Sequence, residues 1–147
     1  MIPGLRWLAV TAVLGTPVFA AADSGDLQLE LAGGYRSRES VDLLAGGTLG
    51  LGDFTFARGR LGFRAGEGEP SVRLETTAGY LFDVLTWVPE VSAGVAIDAD
   101  EVDVALTGLL FVGLRYYLSL DSFVSLEFGG ELDPDGAGAL VRLSYAL

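Results

Sequence analysis

The chain has 147 residues, half of them hydrophobic, and its 20 acidic residues against nine basic ones give a formal net charge of −11. It contains no Cys and no His, which excludes disulfides and thiolate metal sites and removes the commonest general base of enzymes. The acidic balance argues against nucleic acid as a partner, because phosphate binding needs clustered Arg and Lys. The 21 Gly argue against long helices, in which each would be destabilising.

The first 22 residues have the pattern of an export signal. Arg6 is the only charged residue among them, and an apolar run over residues 7–19 follows it. Small residues then complete the pattern of a secretory signal peptide, with cleavage expected after Ala20 or Ala22. The run is too short for a spanning helix, which needs about 20 apolar residues, although an uncleaved anchor helix is the alternative. The remaining part, residues 23–147, is long enough for one domain.

Eight segments of alternating apolar and polar residues fill the part of the chain after the signal. Each is close to the ~9–11 residues that a tilted strand needs to cross a bilayer. Gly, Pro and Asp punctuate the connections, as at Gly52-Asp53 and over residues 65–70, 98–101 and 132–136. This combination is the weak signature of a transmembrane β-barrel. The segments lie approximately at residues 27–35, 40–51, 54–64, 71–82, 89–98, 102–118, 122–131 and 138–147.

The second and third segments have the least regular alternation. Arg58, Arg60 and Arg64 share one parity, and Phe54 and Phe56 fall on that same parity. A single β-bulge would move the two Phe side chains to the other face. We therefore predict a bulge or a register shift in this part of the sheet.

The last segment resembles the closing strand of bacterial outer-membrane β-barrels. Leu143, Tyr145 and Leu147 alternate with Arg142 and other polar or small residues. In that family the usual last residue is Phe, where this chain has Leu. The resemblance implies that the three alternating apolar residues form the signal that the barrel-assembly machinery recognises.

The part of the chain after the signal resembles the small eight-stranded outer-membrane barrels of the broad OmpA-, OmpX- and OmpW-like group. The resemblance rests on the signal at residues 1–22, on residues 27–35, 87–95 and 113–118 and on the terminal strand. It implies an all-β, eight-stranded antiparallel up-and-down transmembrane β-barrel, placed in the outer membrane of a Gram-negative-type bacterium and preceded by a cleavable signal peptide. The implied partners are outer-membrane lipid and, during biogenesis, the export channel, periplasmic chaperones and the barrel-insertion complex. We expect a monomer.

The polar parity of the segments is predicted to line the barrel interior. Its five Arg and five acidic residues balance, and an eight-stranded barrel is just wide enough to be filled by its own side chains. Buried charge must be paired, which favours a lumen sealed by Arg–carboxylate pairs over an ion-conducting or gated pore. The predicted lumen charge network consists of Glu30, Arg58, Arg60, Arg73, Glu75, Glu90, Asp103, Arg115, Glu127 and Arg142.

The connections suggest which end of the barrel faces outside. If both termini are periplasmic, the outside loops carry most of the unbalanced acid and are slightly longer than the periplasmic turns. The acidic runs Asp98–Glu101 and Asp133–Gly136 offer oxygen ligands for a divalent cation, but they lack the spacing of a Ca²⁺ loop, which favours solvated loops. Aromatic residues expected to form a belt at the periplasmic interface are Tyr80, Phe82, Trp87, Tyr116, Tyr117 and Tyr145.

Three classes of function remain, none of them enzymatic. Without His the usual nucleophile–base pair is missing, and Glu67 and Glu69 lie in a Gly-rich loop that would not hold a fixed geometry. We expect neither cofactor nor metal. The favoured function is an integral outer-membrane barrel with a structural or surface-interaction role. The alternatives are a small passive or ligand-gated pore, including a channel for apolar ligands, and a soluble periplasmic binding barrel like the lipocalins.

Overall fold

The computed structural model describes residues 27–37, 39–66, 70–82, 87–119 and 122–147, and they form eight strands. The predicted signal peptide and residues 23–26 lie outside the described residues. Within these ranges no helix is long and apolar enough to cross a membrane. The strands are β1 (Leu27–Arg36), β2 (Ser40–Gly50), β3 (Thr55–Ala65), β4 (Ser71–Leu81), β5 (Trp87–Ala99), β6 (Val104–Tyr117), β7 (Phe123–Asp133) and β8 (Gly136–Ala146).

The strands close into a barrel in which each strand pairs antiparallel with its sequence neighbour and β1 pairs with β8. The predicted eight-stranded up-and-down barrel is therefore confirmed. The β1–β8 seam runs in register from Glu30 opposite Ala146 to Arg36 opposite Leu140. Beyond it, Leu29 and Leu147 exchange two backbone hydrogen bonds of 2.8 Å, which continue the seam past the last residue of β8.

The barrel is apolar outside and largely polar inside, although Ala96, Leu109, Phe111 and Leu140 form a small apolar cluster in the lumen. Leu29, Phe63 and Leu143 point outward and are more than half exposed, whereas Arg73 and Glu127 point into the lumen and are fully buried. Successive side chains of a strand point to opposite faces, so the alternation in the sequence translates directly into these two surfaces.

The two ends of the barrel differ in their connections. The terminal end holds Leu27, Leu147 and the connections at residues 51–54, 82–86 and 118–122; the distal end holds those at residues 37–39, 66–70, 100–103 and 134–135. The predicted longer outside loops are not found, because the distal connections are as short as the terminal ones. The predicted loop at residues 132–136 is a two-residue turn, since Asp133 pairs with Gly136.

The predicted bulge is wrong, because β2 and β3 pair without interruption from Val41 opposite Ala65 to Gly50 opposite Phe56. Phe56 is a genuine lumen residue and is only 2% exposed. Its ring accepts the guanidinium groups of Arg58 and Arg115, which lie 4.9 and 5.0 Å from the ring centroid. The aromatic face is therefore an additional partner for two cations that also pair with carboxylates.

Every strand carries a glycine at a lumen-facing position, and several of these allow neighbouring backbones to approach closely. A Cβ built on Gly46, Gly62 or Gly94 would lie 1.9, 1.9 or 2.0 Å from a backbone oxygen of the adjacent strand. Glycines of this kind permit the sharp bending that closes a small barrel. The lumen-facing set includes Gly34, Gly46, Gly62, Gly79, Gly94, Gly113, Gly129 and Gly138.

Candidate functional site

The structure brings nine of the ten predicted charged residues together in the lumen. All nine, that is Glu30, Arg58, Arg60, Arg73, Glu75, Glu90, Arg115, Glu127 and Arg142, are at most 4% exposed. The prediction for Asp103 is wrong, since this residue is exposed in the connection before β6. It has the lumen parity but lies beyond the barrel rim, where its carboxylate accepts the N–H of Val104 at 2.8 Å.

Six further charged residues join the lumen, which gives seven Arg and eight carboxylates that form ion pairs in the described part of the chain. Parity alone could have identified Asp42, which lies between outward-facing Val41 and Leu43, and Glu131, four residues after Glu127. The others lie near strand ends, where the sequence does not show whether a residue is still inside the barrel. The six are Arg36, Asp42, Arg64, Asp98, Glu131 and Asp133.

One group of six residues, which we call the terminal cluster, fills the lumen towards the terminal end. It contains three Arg and three Glu, namely Arg58, Arg60, Arg115, Glu30, Glu90 and Glu127. Arg58 pairs with all three acids: with Glu30 at 3.1 Å, with Glu90 at 3.4 Å and with Glu127 in a closer contact. Arg60 pairs with Glu127 at 2.9 Å and also with Glu30. The cluster is therefore electrically balanced.

Neighbouring side chains complete the hydrogen bonds of the terminal cluster. Thr48 Oγ1 donates to Glu30 Oε2 at 2.8 Å and accepts from Arg58 Nε at 3.0 Å. Ser144 Oγ accepts from Arg60 Nη2 at 2.9 Å. Because buried charges cost much free energy unless they are both paired and hydrogen-bonded, these contacts help the lumen to hold the cluster.

Two phenylalanine rings cover the terminal cluster on its terminal side. Arg115 donates to Glu90 Oε2 through Nε at 2.9 Å and through Nη2 at 2.7 Å. The same guanidinium lies 4.0 Å from the ring centroid of Phe123 and 5.0 Å from that of Phe56. Both rings are at most 2% exposed, so side chains fill the cross-section of the barrel at this level.

The other nine charged residues form the distal cluster, near the distal mouth. They are Arg36, Arg64, Arg73, Arg142, Asp42, Glu75, Asp98, Glu131 and Asp133. Arg142 donates two hydrogen bonds of 2.8 and 2.7 Å to the Glu75 carboxylate, and Arg64 donates two of 2.8 and 3.2 Å to the Asp42 carboxylate. Bidentate contacts of this kind are the strongest that Arg makes with a carboxylate.

The distal cluster is more open and carries one more acid than base. Side chains at the mouth, such as Arg36, Arg64, Asp98 and Asp133, are 10–13% exposed. Among the described residues one ion pair joins the two clusters, in which Arg60 Nη1 lies 3.9 Å from Glu75 Oε2. The lumen therefore holds two largely separate networks of charge.

A carboxylate group in the distal cluster has the spacing of a metal site but not the charge. Oxygens of Asp42, Glu75 and Glu131 lie within 4.8 Å of one another. Each of these acids pairs with at least one of Arg64, Arg73 and Arg142, whose positive charges oppose a cation. Asp98 also points inward to Arg73 at 2.6 Å, so it cannot join Asp100 and Glu101 in the cation loop considered from the sequence.

The outer wall shows where the remaining predicted residues lie. Leu143, Tyr145 and Leu147 point outward and are 58%, 42% and 65% exposed, and their role in assembly stays a prediction. The predicted aromatic residues gather at the terminal end. Trp87 packs on Tyr116 with ring centroids 4.7 Å apart, and Tyr80 packs on Phe82 at 5.1 Å.

Comparisons with known proteins identify the architecture. No protein-family model and no curated protein matches the sequence. A de novo designed transmembrane β-barrel is 19% identical, with a TM-score of 0.64 over 86% of this chain and 99% of the designed one. The N-terminal β-barrel domain of Pseudomonas aeruginosa OprF is also 19% identical, with a TM-score of 0.63 over 84% of this chain and 100% of that domain.

An outer-membrane enzyme has the same architecture. PagL is 12% identical, with a TM-score of 0.54 over 82% of this chain and 98% of that protein. The architecture alone thus separates neither enzymes from other barrels nor one role from another, and the absence of enzymatic activity stays a prediction. What the register, the closed strand order and these likenesses establish together is that the chain has the fold of the small eight-stranded outer-membrane barrels.

Proposed function

We propose that this protein is an integral outer-membrane barrel with a structural or surface-interaction role, whose lumen is sealed to ions. The observation that carries the proposal is the lumen itself: all seven Arg that line it have carboxylate partners, and aromatic rings cover its terminal end. A barrel with a structural role needs no open channel, and the lumen of this barrel is filled by its own side chains.

The outer surface supports placement in a bilayer. None of the outward-facing positions of the eight strands holds a charged residue. A single Arg near the midplane of the membrane would cost about 2–4 kcal/mol, so this pattern suits lipid. A soluble lipocalin-like barrel would need the reverse arrangement, with apolar residues inside and polar ones outside, so the soluble alternative has little support.

The ion pairs favour a sealed lumen over a pore. A passing ion would have to separate pairs such as Arg58–Glu30 and Arg60–Glu127, which lie at 3.1 and 2.9 Å. Breaking a buried pair leaves an uncompensated charge and costs about 3–5 kcal/mol. We therefore propose that the terminal cluster is the seal. The more open part of the lumen around the distal cluster ends at this seal.

The aromatic residues suggest the orientation in the membrane. Trp87, Tyr80, Tyr116 and Tyr145 lie at the terminal end, and rings of this type settle at a membrane interface. We propose that this end faces the periplasm and that the acidic distal connections face outside. The barrel closes within one chain, which suits a monomer, and the outward residues of β8 are the proposed contact with the insertion machinery.

Membrane fractionation and gel mobility test the placement. We expect the protein in the outer-membrane fraction, with a detergent-resistant band that migrates faster when the sample is not boiled. A soluble periplasmic protein with a single band of unchanged mobility would reject the membrane placement and support the soluble barrel.

Conductance in planar bilayers tests the seal. We expect no resolved current steps from the purified wild-type barrel. Replacing both rings and the central acid, as Phe56→Ala, Phe123→Ala and Glu127→Ala together, should produce steps if this variant still migrates as a folded barrel. Stable current steps from the wild type would reject the sealed lumen in favour of a pore.

A further inference from the structure

The β5–β6 hairpin extends past the neighbouring strand at the distal end. β5 and β6 pair up to Ala99 opposite Val104, and β4 pairs with β5 as far as the same Ala99. On the other side, β6 pairs with β7 only from Gly108 opposite Leu132 onwards. In the part of the chain that the structure describes, the stretch Val104–Thr107 therefore has a paired strand on one side only.

The register identifies which backbone groups point to the open side. Asp100 N donates to Asp103 O at 3.1 Å, so the next opposed residues, Ala99 and Val104, are a non-hydrogen-bonded pair. Val104 and Leu106 consequently direct their N–H and C=O groups away from β5. The N–H of Val104 is bound by the Asp103 carboxylate. Continuing the β6–β7 register would put Pro134 opposite Leu106, and proline has no N–H to continue the ladder.

The surroundings of this edge are apolar along the strand and acidic at its tip. Val102, Val104 and Leu106 are 76%, 46% and 61% exposed. The two connections that flank the edge, residues 100–103 and 134–135, contain four acidic residues and no basic one. An extended segment with alternating basic and apolar residues would match both features.

We propose that the open edge of β6 at Val104–Thr107 binds an extended basic peptide segment of another protein, which adds to the barrel sheet as a further strand. Strand addition to an exposed sheet edge is a common mode of peptide recognition, in which the backbone supplies affinity and the side chains supply specificity. This inference rests on the proposed orientation, which exposes the distal end to the outside.

The bilayer limits where this edge can lie, and the acidic tip limits what can bind to it. Unpaired N–H and C=O groups are not tolerated in hydrocarbon, so the edge lies at or above the membrane surface, where a peptide can reach it. A second copy inserted in the same membrane would present its β6 in the same direction, so pairing of the two edges would bring Glu101 and Asp103 of both tips together. Like charges placed opposite one another across strands are destabilising, which favours a basic partner over a copy.

A peptide-binding assay tests the proposal on the folded full-length barrel in non-ionic detergent micelles. The probe is a fluorescein-labelled peptide of sequence Lys-Val-Lys-Val-Lys-Val, and its control is the same peptide with alternate backbone nitrogens methylated. We expect saturable binding of the first peptide and binding at least about tenfold weaker of the second, because methylation removes hydrogen bonds at unchanged charge.

Three variants locate the binding on the protein. Leu106→Pro removes an N–H that points away from β5, so the barrel should still show its gel shift while the peptide binds about tenfold less tightly. Asp103→Asn should also weaken binding, and Asp53→Asn, an exposed acid at the terminal end, should leave it unchanged.

Several results of these binding experiments would contradict the proposal. Equal affinity for both peptides, no binding at all, or full affinity in Leu106→Pro would each overturn strand addition. Chemical cross-linking that joins two barrels through Cys introduced at Val104 would overturn it in favour of a second copy. Because binding is measured on a barrel already shown to be folded, its failure is distinct from a failure of the membrane placement, which fractionation reports.

Discussion

The two ion-pair clusters of the lumen use the same chemistry under different degrees of burial. In the terminal cluster three Arg balance three Glu, and every member is at most 4% exposed. In the distal cluster four Arg face five acids, and the members at the mouth are 10–13% exposed. The first is covered by Phe56 and Phe123. The second opens towards the distal connections.

The contrast between the two clusters shows that the number of ion pairs does not indicate how much each pair contributes to stability. A pair that water can still reach loses little when one partner is removed, because solvent screens the remaining charge. Removing one partner of a fully buried pair costs much more, because no solvent screens the charge that remains. The terminal cluster should therefore determine the seal and much of the stability, and the members of the distal cluster at its mouth should tolerate change.

Glu127→Ala should have the largest effect. It removes an acid that Arg58 and Arg60 share and leaves two buried guanidinium groups with fewer partners. We expect the free energy of unfolding to fall by about 3–5 kcal/mol. Urea titration of the folded band in lipid vesicles measures this change. A loss below about 1 kcal/mol would mean that the cluster is hydrated and that the contrast with the distal cluster is absent.

Arg115→Met should have an intermediate effect. Glu90 loses its hydrogen bonds of 2.9 and 2.7 Å from Arg115 but keeps Arg58 at 3.4 Å, and Met restores part of the packing against the two rings. We expect a loss of about 2 kcal/mol by the same titration. Arg115→Ala is the matched control for packing and should be less stable than Arg115→Met; equal stabilities would show that the rings contribute nothing through this contact.

Asp98→Asn should have a smaller effect, because the site lies at the distal mouth. Arg73 keeps Glu75 at 2.6 Å, and Arg64 keeps Asp42 at 2.8 Å. We expect destabilisation of at most about 1 kcal/mol, in the same vesicles and over the same urea range as for Glu127→Ala. An effect as large as that of Glu127→Ala would contradict the distinction between the two clusters.

Salt concentration should have the smallest effect, and it should alter the stability loss of the distal variant alone. Raising NaCl from about 0.1 to 1 M shortens the Debye length from roughly 10 to 3 Å, which weakens exposed pairs more than buried ones. We expect the Asp98→Asn effect to shrink by a few tenths of a kcal/mol and the Glu127→Ala effect to stay constant. Repeating both titrations at the two salt concentrations checks this, and a common salt dependence would show that water reaches both clusters equally.

The sequence reveals the barrel and most of its lumen because alternation is a local property. Strand count, inward parity and residues such as Arg73 and Arg142 follow from neighbours two positions apart. Partner choice does not: Arg60 reaches Glu30, Glu127 and Ser144 on three other strands, and the tilt and closure of the barrel decide which of them meet.

The predictions from the sequence fail at strand ends and at one aromatic residue. Asp103 shares the lumen parity, but the neighbouring strand stops before reaching it, and a length difference between strands is not visible in a single sequence. Phe56 suggests a bulge only if every lumen residue is taken to be polar. Its ring is in fact a partner for two guanidinium groups, a role that depends on Arg115 from a distant part of the chain.

The inward-facing charges also have a consequence for the chain before the barrel exists. Because Arg, Asp and Glu recur between the outward-facing residues, no stretch after residue 22 offers the ~20 consecutive apolar residues that would hold a helix in a bilayer. If the chain is exported as proposed, it presents little that would hold it in the first membrane on its route. The hydrophobic surface comes into being only on folding, when hydrogen bonding between strands sorts the two kinds of side chain onto opposite faces of one wall.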